Sequence, residues 1–247
     1  MDAGMATLSP VSCPSCSLKP REEITMPRGK NSSLKDPEMP ENNSGPALRA
    51  LALNCTLKAH SESSSTEKLL GEVLDALREH GVEGEQVRVA DMDTRPGVET
   101  DMGDGDHWPA IRMKLLASDI LVMGTPVWMG HPSSIAQRVL ERLDAELAET
   151  DEHGRPELFD KVAAVAVVGN EDGAHKITAD LLQALNDVGF SVPAQAGTYW
   201  VGEAMQTVDY KDLDTIPEPV AGATAMLARN TAHLAQLLRA HAYPAES

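Results

Sequence analysis

The sequence predicts an α/β protein built on a doubly wound parallel sheet of five strands. From residue 47 onward, short apolar runs alternate with longer segments in which apolar residues recur every three or four positions. Buried strands and amphipathic helices produce these two patterns. One run, residues 162–168, is almost purely Val and Ala, which is typical of a strand covered by helices on both faces. Strands and helices that alternate along the chain favour a parallel sheet.

Five apolar runs are predicted to be the strands, and most of them end at a Gly, an Asn or a charged residue. Such residues stop a buried run because they favour turns or need water. The third run stops at Gly124, and the fourth stops at Gly169. The predicted strands are residues 47–53, 86–89, 120–123, 162–168 and 191–201.

Three of the five predicted helices have a clear apolar face, and several have a start or stop signal. Gly81 and Gly189 end the first and fourth helices, because glycine readily adopts the conformation that follows a helix. Pro109 fits the first turn of the second helix, where a missing N–H costs nothing. The predicted helices are residues 66–80, 108–117, 134–149, 176–188 and 220–241.

Residues 1–46 differ in composition from the rest of the chain. They are rich in Pro, Ser, Asn, Lys and Glu and have no apolar period, which predicts a disordered or weakly ordered N-terminal tail before a folded domain at residues 47–247. Cys13 and Cys16 have the spacing of a redox or metal pair. The tail lacks the second pair that a zinc site needs, so two incidental cysteines are the better interpretation, and no metal site is predicted.

The charge of the chain excludes several kinds of partner. The 247 residues carry 38 acidic and 21 basic side chains, a net charge of -17, which repels nucleic acid and anionic membranes. No run approaches the ~18 apolar residues of a membrane span, and no secretory signal is evident, so we expect a cytoplasmic protein. Any anionic ligand must be held by N–H groups, hydroxyls and helix dipoles.

The loop after the first strand, residues 54–66, is rich in hydroxyls and leads directly into a helix. Hydroxyls beside the free N–H groups of a helix N-terminus form a phosphate cradle, to which Lys58 and His60 add positive charge. An ordinary serine-rich loop with one helix-capping serine remains the alternative. No dinucleotide fingerprint or P-loop motif is present. The candidate phosphate ligands are Thr56, Lys58, Ser63, Ser64, Ser65 and Thr66.

Two further loops follow the third and fourth strands. The first is unusually apolar, which suits either a flat apolar ligand or burial against a partner subunit. The second has glycines near both ends, which allow the backbone to approach a ligand closely. A phosphate cradle beside a flat apolar surface describes a site for a ligand with a phosphate tail and a planar ring, such as FMN. The candidate residues are Thr125, Pro126, Val127, Trp128, Met129 and Gly130, with Gly169, Asn170, Glu171, Asp172, Gly173 and Ala174.

Three segments together carry a resemblance to a known family. They are the Ser/Thr-rich loop that opens helix 66–80, the sequence GTPVWMG at residues 124–130 with Pro132-Ser133-Ser134 after it, and VGNEDGA at residues 168–174. On these segments, residues from about 47 to 238 resemble the flavodoxin-like NADPH-dependent FMN reductases. The resemblance implies the strand order 2-1-3-4-5, with residues 56–66 on the FMN phosphate, 125–130 at the isoalloxazine edge and 169–174 completing the ring site.

The resemblance also implies a function. It indicates an FMN-dependent oxidoreductase that takes a hydride from NADPH or NADH, as a transient reductant, and passes electrons to a quinone, a free flavin or a similar small molecule. No catalytic side chain is expected, because the flavin carries the chemistry. The apolar loop further suggests a homodimer or homotetramer. An electron-transfer flavodoxin that serves a protein partner is the main alternative, and a flavin-free interaction module is a third.

Overall fold

The computed structural model describes residues 46–59, 61–203 and 207–244. The predicted tail, including the Cys13–Cys16 pair, therefore lies outside the described residues except for Pro46. His60, which the sequence suggested as a positive charge beside the phosphate, lies outside them as well.

The sheet confirms the predicted fold class. Within the described residues, the strands are β1 (Leu48–Asn54), β2 (Val82–Arg88), β3 (Ile120–Trp128), β4 (His131–Pro132), β5 (Val162–Gly169) and β6 (Gly197–Val201). They run in the order β2-β1-β3-β5-β6, and every neighbouring pair on this path is parallel. This is the predicted order 2-1-3-4-5 with one addition, the two-residue strand β4, which pairs antiparallel with the end of β3.

Helices cover both faces of the sheet, as the Val/Ala composition of β5 predicted. Leu51 and Leu53 of β1 face a core formed with the second, third and fourth helices, whereas Ala50 and Ala52 face a second core formed with the first and fifth helices. This alternation is the two-residue period of a strand. The helices are α1 (Ser65–Arg78), α2 (Trp108–Leu116), α3 (Ser134–Leu143), α4 (Ala174–Asp187) and α5 (Glu218–Ala240), with short 3-10 helices at Val89–Asp91, Asp144–Ala148 and Tyr210–Asp212.

The largest correction concerns the third strand. The sequence suggested a strand that ends at Met123 and an apolar loop at residues 124–130, but β3 continues to Trp128. Its extension pairs with β5, with Gly124 opposite Ala166 and Pro126 opposite Val168. The apolar residues are therefore mostly strand, and the turn is confined to Met129 and Gly130.

Other boundaries also differ from the predictions. β2 begins at Val82 rather than at residue 86, because pairing along the whole of β1 extends a sequence with little apolar signal. β6 is shorter than predicted, and Ser191 makes only an isolated bridge to Val162. The predicted helix 134–149 ends at Leu143 and continues as a 3-10 helix. Among the helices described, none combines the length and the hydropathy that crossing a membrane requires.

Candidate functional site

A cavity of about 480 Å³ opens at the carboxyl edge of the sheet, within the size range of small-molecule sites. It lies where the chain order reverses about β1 and β3, which is the usual ligand position in open α/β sheets. The three predicted loops meet there. The predicted residues that line it are Thr56, Lys58, Ser64, Ser65, Thr66, Pro126, Val127, Trp128, Gly169, Asn170 and Glu171.

One end of the cavity is the N-terminus of α1. Ser64 is the N-cap residue, and its Oγ accepts a hydrogen bond from the N–H of Glu67 at 3.4 Å. The N–H groups of Ser65 and Thr66 lie in the first turn, and they donate to no other described residue. The backbone therefore supplies free donors here, while a lone pair of the Ser64 hydroxyl caps the helix.

The other predicted phosphate ligands have different surroundings. Thr56 is buried, its N–H donates to Asn54 Oδ1 at 3.1 Å, and its Oγ1 accepts from the N–H of Lys58 at 3.3 Å. The ammonium of Lys58 reaches the carbonyl of Ser63 at 3.5 Å. Ser63 itself is exposed and does not line the cavity.

The end of β3 forms an apolar wall. Pro126, Val127 and Trp128 line the cavity, and Trp128 is 53% exposed at its rim. Thr125 is fully buried, and its Oγ1 instead accepts from the N–H of Ser133 at 3.0 Å and donates to the carbonyl of Pro126. Thr125 thus joins β3 to α3 rather than facing the cavity.

The turn after β3 is held by the loop after β5. Met129 adopts a positive φ of 53°, and its N–H donates to Glu171 Oε1 at 2.9 Å. At Gly173, where φ is 132°, an added Cβ would lie 2.7 Å from the Cα of Gly130. The close approach of the two turns therefore requires glycine at position 173.

The remaining predicted residues belong to the two turns but lie outside the cavity lining. Met129, Gly130, Asp172, Gly173 and Ala174 do not line it. Asp172 accepts from the N–H of Gly173, and Ala174 is the buried first residue of α4. The two glycines of this loop, both predicted to allow a close approach to a ligand, differ in position. Gly169 lines the cavity, whereas Gly173 packs against Gly130.

Four lining residues were not among the predicted ligands, namely Leu57, Val168, Trp200 and Asp209. Trp200 is one of three tryptophans in the sequence, but the sequence alone does not separate a position in the cavity from a subunit contact. Asp209 has no sequence signal, because it follows an irregular segment. It accepts from the Asn170 side-chain amide at 3.1 Å, a contact across 39 positions of the chain.

The segment around Asp209 is anchored on α1. Lys68 Nζ donates to the carbonyls of Tyr210 and Leu213 at 3.3 and 2.7 Å, and it lies 5.3 Å from the centre of the Tyr210 ring. The Tyr210 hydroxyl donates to Glu72, and its ring packs against Trp200. Burial raises the pKa of Glu72 and the pKa of Tyr210, so both groups favour their protonated forms more than in water.

The donors and the apolar surface of the cavity fit FMN. Free N–H groups at a helix N-terminus bind a phosphate, because the helix dipole favours an anion there. Pro126, Val127 and Trp128 at the end of β3, with Trp200 of β6, supply apolar surface for a planar ring. The cavity joins both features in one space, as a ligand with a phosphate tail and a flat ring requires.

Comparison with known proteins agrees with this geometry. The sequence profile of the family described as NADPH-dependent FMN reductase matches residues 48–206. The chain is 33% identical over 216 residues to an 8-demethyl-8-aminoriboflavin-5'-phosphate synthase from Streptomyces davaonensis, and the match covers 80% of each chain.

Two further similarities complete the comparison. A crystal structure of RosB with the bound intermediate 8-demethyl-8-formylriboflavin-5'-phosphate superposes with a TM-score of 0.72 at 32% identity, covering 80% of this chain and 82% of that one. The chain is also 35% identical over 208 residues to a protein from Mycobacterium bovis named divalent metal cation transporter MntH. That match covers 79% of this chain but only 30% of the length of the relative.

Proposed function

The chain belongs to the family of NADPH-dependent FMN reductases, and we propose that it is an oxidoreductase in which the cavity holds FMN between NAD(P)H and a small-molecule acceptor. The observation that carries the proposal is the pairing, in one cavity, of the free N–H groups of α1 with the apolar wall of β3 and β6. The family membership confirms the predicted FMN cofactor and NAD(P)H reductant. A quinone or a free flavin as acceptor stays a proposal.

The phosphate end of the proposed site consists mainly of backbone donors. The N–H groups of Ser65 and Thr66 bind the phosphate at the positive end of the α1 dipole, and the hydroxyl of Thr56 lines the same region. Lys58 adds a positive charge at the edge. These local donors matter because the whole chain, at a net charge of -17, repels an anion.

The ring end orients the flavin and limits its access to water. FMN supplies hydride and single-electron chemistry, so the protein needs to position it rather than to provide a nucleophile. Trp128 and Leu57 are about half exposed at the rim, and they provide an apolar surface on which a nicotinamide or an acceptor ring can pack. Glu171 fixes the turn at Met129 through its hydrogen bond and thereby the position of Trp128.

The experiment that tests this function is an anaerobic absorption spectrum of the protein with FMN, before and after addition of NADPH. A reductase bleaches the flavin bands with NADPH. Bands that bleach only with dithionite would favour the electron-transfer flavodoxin instead. No flavin binding at all would contradict the proposed site and favour the flavin-free module.

A substitution tests the phosphate end separately. Ser65 is the first residue of α1, a position where proline fits, and the preceding Ser64 has the extended φ and ψ of -127° and 133° that proline requires. Ser65→Pro removes one N–H donor, and Ser65→Ala removes only the hydroxyl. We expect Ser65→Pro to bind FMN at least about 10-fold more weakly than Ser65→Ala, because a hydrogen bond to a charged group contributes about 1.5–3 kcal/mol. Equal affinities of the two variants would contradict the assignment.

A second candidate function is chemical modification of FMN itself. It is favoured by the 33% identity to a synthase of an aminoriboflavin phosphate and by the structural similarity to RosB, whose structure holds a flavin phosphate intermediate. The test is the mass of the flavin recovered after incubation of the protein with FMN, oxygen and amine donors. An unchanged FMN mass supports the reductase, and a new flavin mass supports the modifying enzyme.

A further inference from the structure

Arg88 lies beneath the loop that connects β1 to α1. It is the last residue of β2, opposite Asn54 of β1, and its side chain is only 5% exposed. The guanidinium Nη1 donates to the backbone carbonyls of Ala59 and Glu62 at 2.6 and 2.9 Å, and more weakly to that of Lys58 at 3.4 Å. One side chain from a neighbouring strand thus donates hydrogen bonds to three backbone carbonyls of the loop.

The same guanidinium also contacts the helix that follows. Its Nη2 lies 2.7 Å from Glu67 Oε2, in the first turn of α1. Arg88 therefore joins the end of β2, the loop and the helix N-terminus that lines the cavity. Since Glu67 balances its charge, the contribution of Arg88 to the site is mainly the shape of the loop.

This arrangement fixes the direction of the peptide groups in the loop. In a trans peptide the carbonyl and the N–H point to opposite sides. Carbonyls held at Arg88 therefore turn the N–H groups of Ala59 and Ser63 away from it, and neither N–H donates to another described residue. The carbonyl oxygens, which would repel a phosphate, are held on the Arg88 side.

We propose that Arg88 is a positioning residue that shapes the loop for a phosphate monoester and so makes the site prefer a flavin 5'-phosphate over unphosphorylated riboflavin. The proposal rests on the function proposed above, in which this loop and α1 hold the phosphate of FMN. Arg88 does not line the cavity, so it acts through the backbone it binds. Lysine cannot replace it fully, because an ammonium lacks the fork of N–H groups that serves several acceptors at once.

The test compares dissociation constants for FMN and riboflavin by quenching of flavin fluorescence. The variants are Arg88→Met and Arg88→Lys. The controls are Glu67→Gln, which keeps the carbonyl contacts of Arg88, and Arg78→Met, which removes an exposed arginine at the other end of α1. We expect Arg88→Met to weaken FMN binding about 10-fold or more, with riboflavin affinity changed less than about 2-fold. Arg88→Lys should fall between Arg88→Met and the wild type, and Arg78→Met should keep the wild-type preference. Glu67→Gln leaves the charge of Arg88 unbalanced, so it should keep or raise that preference.

Two results for Arg88→Met would overturn the proposal. One is an unchanged preference for FMN over riboflavin, and the other is an equal loss of affinity for both flavins. Thermal unfolding monitored by circular dichroism checks that each variant is folded. If Arg88→Met does not fold, Arg88→Lys carries the test, and wild-type behaviour of that variant would overturn the proposal. A wild-type protein that binds both flavins equally would overturn the proposed phosphate site as well, whereas wild-type preference with unaltered variants would overturn only the role of Arg88.

Discussion

Arg142 is the clearest case of a single residue that orders a distant loop. Its side chain and that of Asp106 are both fully buried, with 2.7 Å between Nη1 and Oδ2. Arg142 also donates to the carbonyls of Arg95 and Glu99, and it lies over the ring of Trp108. The acidic, glycine-containing loop before α2 is therefore fixed by one guanidinium from α3.

Loss of this ion pair should destabilise the fold, and the loss should depend on pH. Burial tends to raise the pKa of Asp106, but N–H donors from Met102, Trp108 and Arg95 and the contact with Arg142 outweigh it and lower this pKa from 3.8 to about 2. Because the folded pKa is the lower one, the stabilisation is present above about pH 4 and is lost as the pH falls from there through 2.

The corresponding measurement is urea unfolding of Asp106→Asn at pH 7, 4 and 3. At pH 7 we expect a loss of about 3–5 kcal/mol in the free energy of unfolding, since a buried charge is left without its partner. The difference from the wild type should shrink as the pH falls below 4. Asp104→Asn, at an exposed position of the same loop, is the control and should cost little. A pH-independent difference would contradict the ion-pair explanation.

Gly173 gives a second prediction at the scale of a residue. Its φ of 132° and the 2.7 Å approach to the Cα of Gly130 exclude a side chain. Gly173→Ala should lower stability by about 1–3 kcal/mol and weaken FMN binding, since the turn at Gly130 must move. Gly222→Ala is the matched control, because it lies within α5 with no atom near the added Cβ, and it should stabilise slightly. Thermal unfolding and FMN titration measure the stability and the FMN affinity of both variants. Equal effects of Gly173→Ala and Gly222→Ala would refute the steric argument.

At the scale of elements, the N-terminus of α3 joins three parts of the site. Ser133 is the N-cap residue, with its Oγ accepting from the N–H of Ala136 at 3.1 Å. The same Oγ donates to the carbonyl of Cys55 at 2.5 Å, and the N–H of Ser133 donates to Thr125 Oγ1. One serine thus connects α3, the start of the loop between β1 and α1, and β3.

Substitution of this serine should cost more than the loss of an ordinary cap. We expect Ser133→Ala to lower the free energy of unfolding by about 2 kcal/mol, at the upper end of the range for N-caps, because the buried carbonyl of Cys55 also loses its donor. Ser134→Ala, one residue later and exposed, should change it by less than about 0.5 kcal/mol. Urea unfolding of the two variants distinguishes them. A similar small effect of both would show that the connection contributes little.

At the scale of the whole molecule, charge opposes the ligand that the local site attracts. The net charge of -17 repels FMN, whose phosphate carries about -1.5 to -2, while in the proposed site the N-terminus of α1 and Lys58 attract it at short range. The long-range repulsion is screened more readily than the partly buried contacts. Added salt should therefore change the association rate of FMN more than its dissociation rate.

The stopped-flow association rate of FMN tests this balance. Raising the ionic strength from 10 to 150 mM shortens the Debye length from about 30 to about 8 Å. We expect the FMN rate to increase several-fold, and the rate of uncharged riboflavin to stay constant as the control. An FMN rate that falls with salt would mean that local positive charge dominates the encounter.

Much of the architecture follows from local sequence. The fold class and most of the described strands and helices follow from apolar periods of two and 3.6 residues, which those segments carry by themselves. The position of the cavity follows from the same pattern, because turn residues after parallel strands meet at one edge of a sheet. The serines before α1 indicated both a helix cap and a phosphate cradle. The structure gives Ser64 the first role, and in the proposed site the N–H groups of Ser65 and Thr66 take the second.

Only the tertiary structure determined which residues of each loop line the cavity and which contact neighbouring elements. β3 continues through Thr125 to Trp128 because β5 pairs with it, and Thr125 faces α3 because Ser133 binds its hydroxyl. Asp209 of the cavity lining binds Asn170, and Arg88 binds the loop between β1 and α1 from a neighbouring strand. These contacts join residues that are far apart in the chain, so no local period or motif carries them. The sequence by itself therefore determined most of the elements and the class of ligand, whereas packing between distant segments determined the element boundaries and which residues line the cavity.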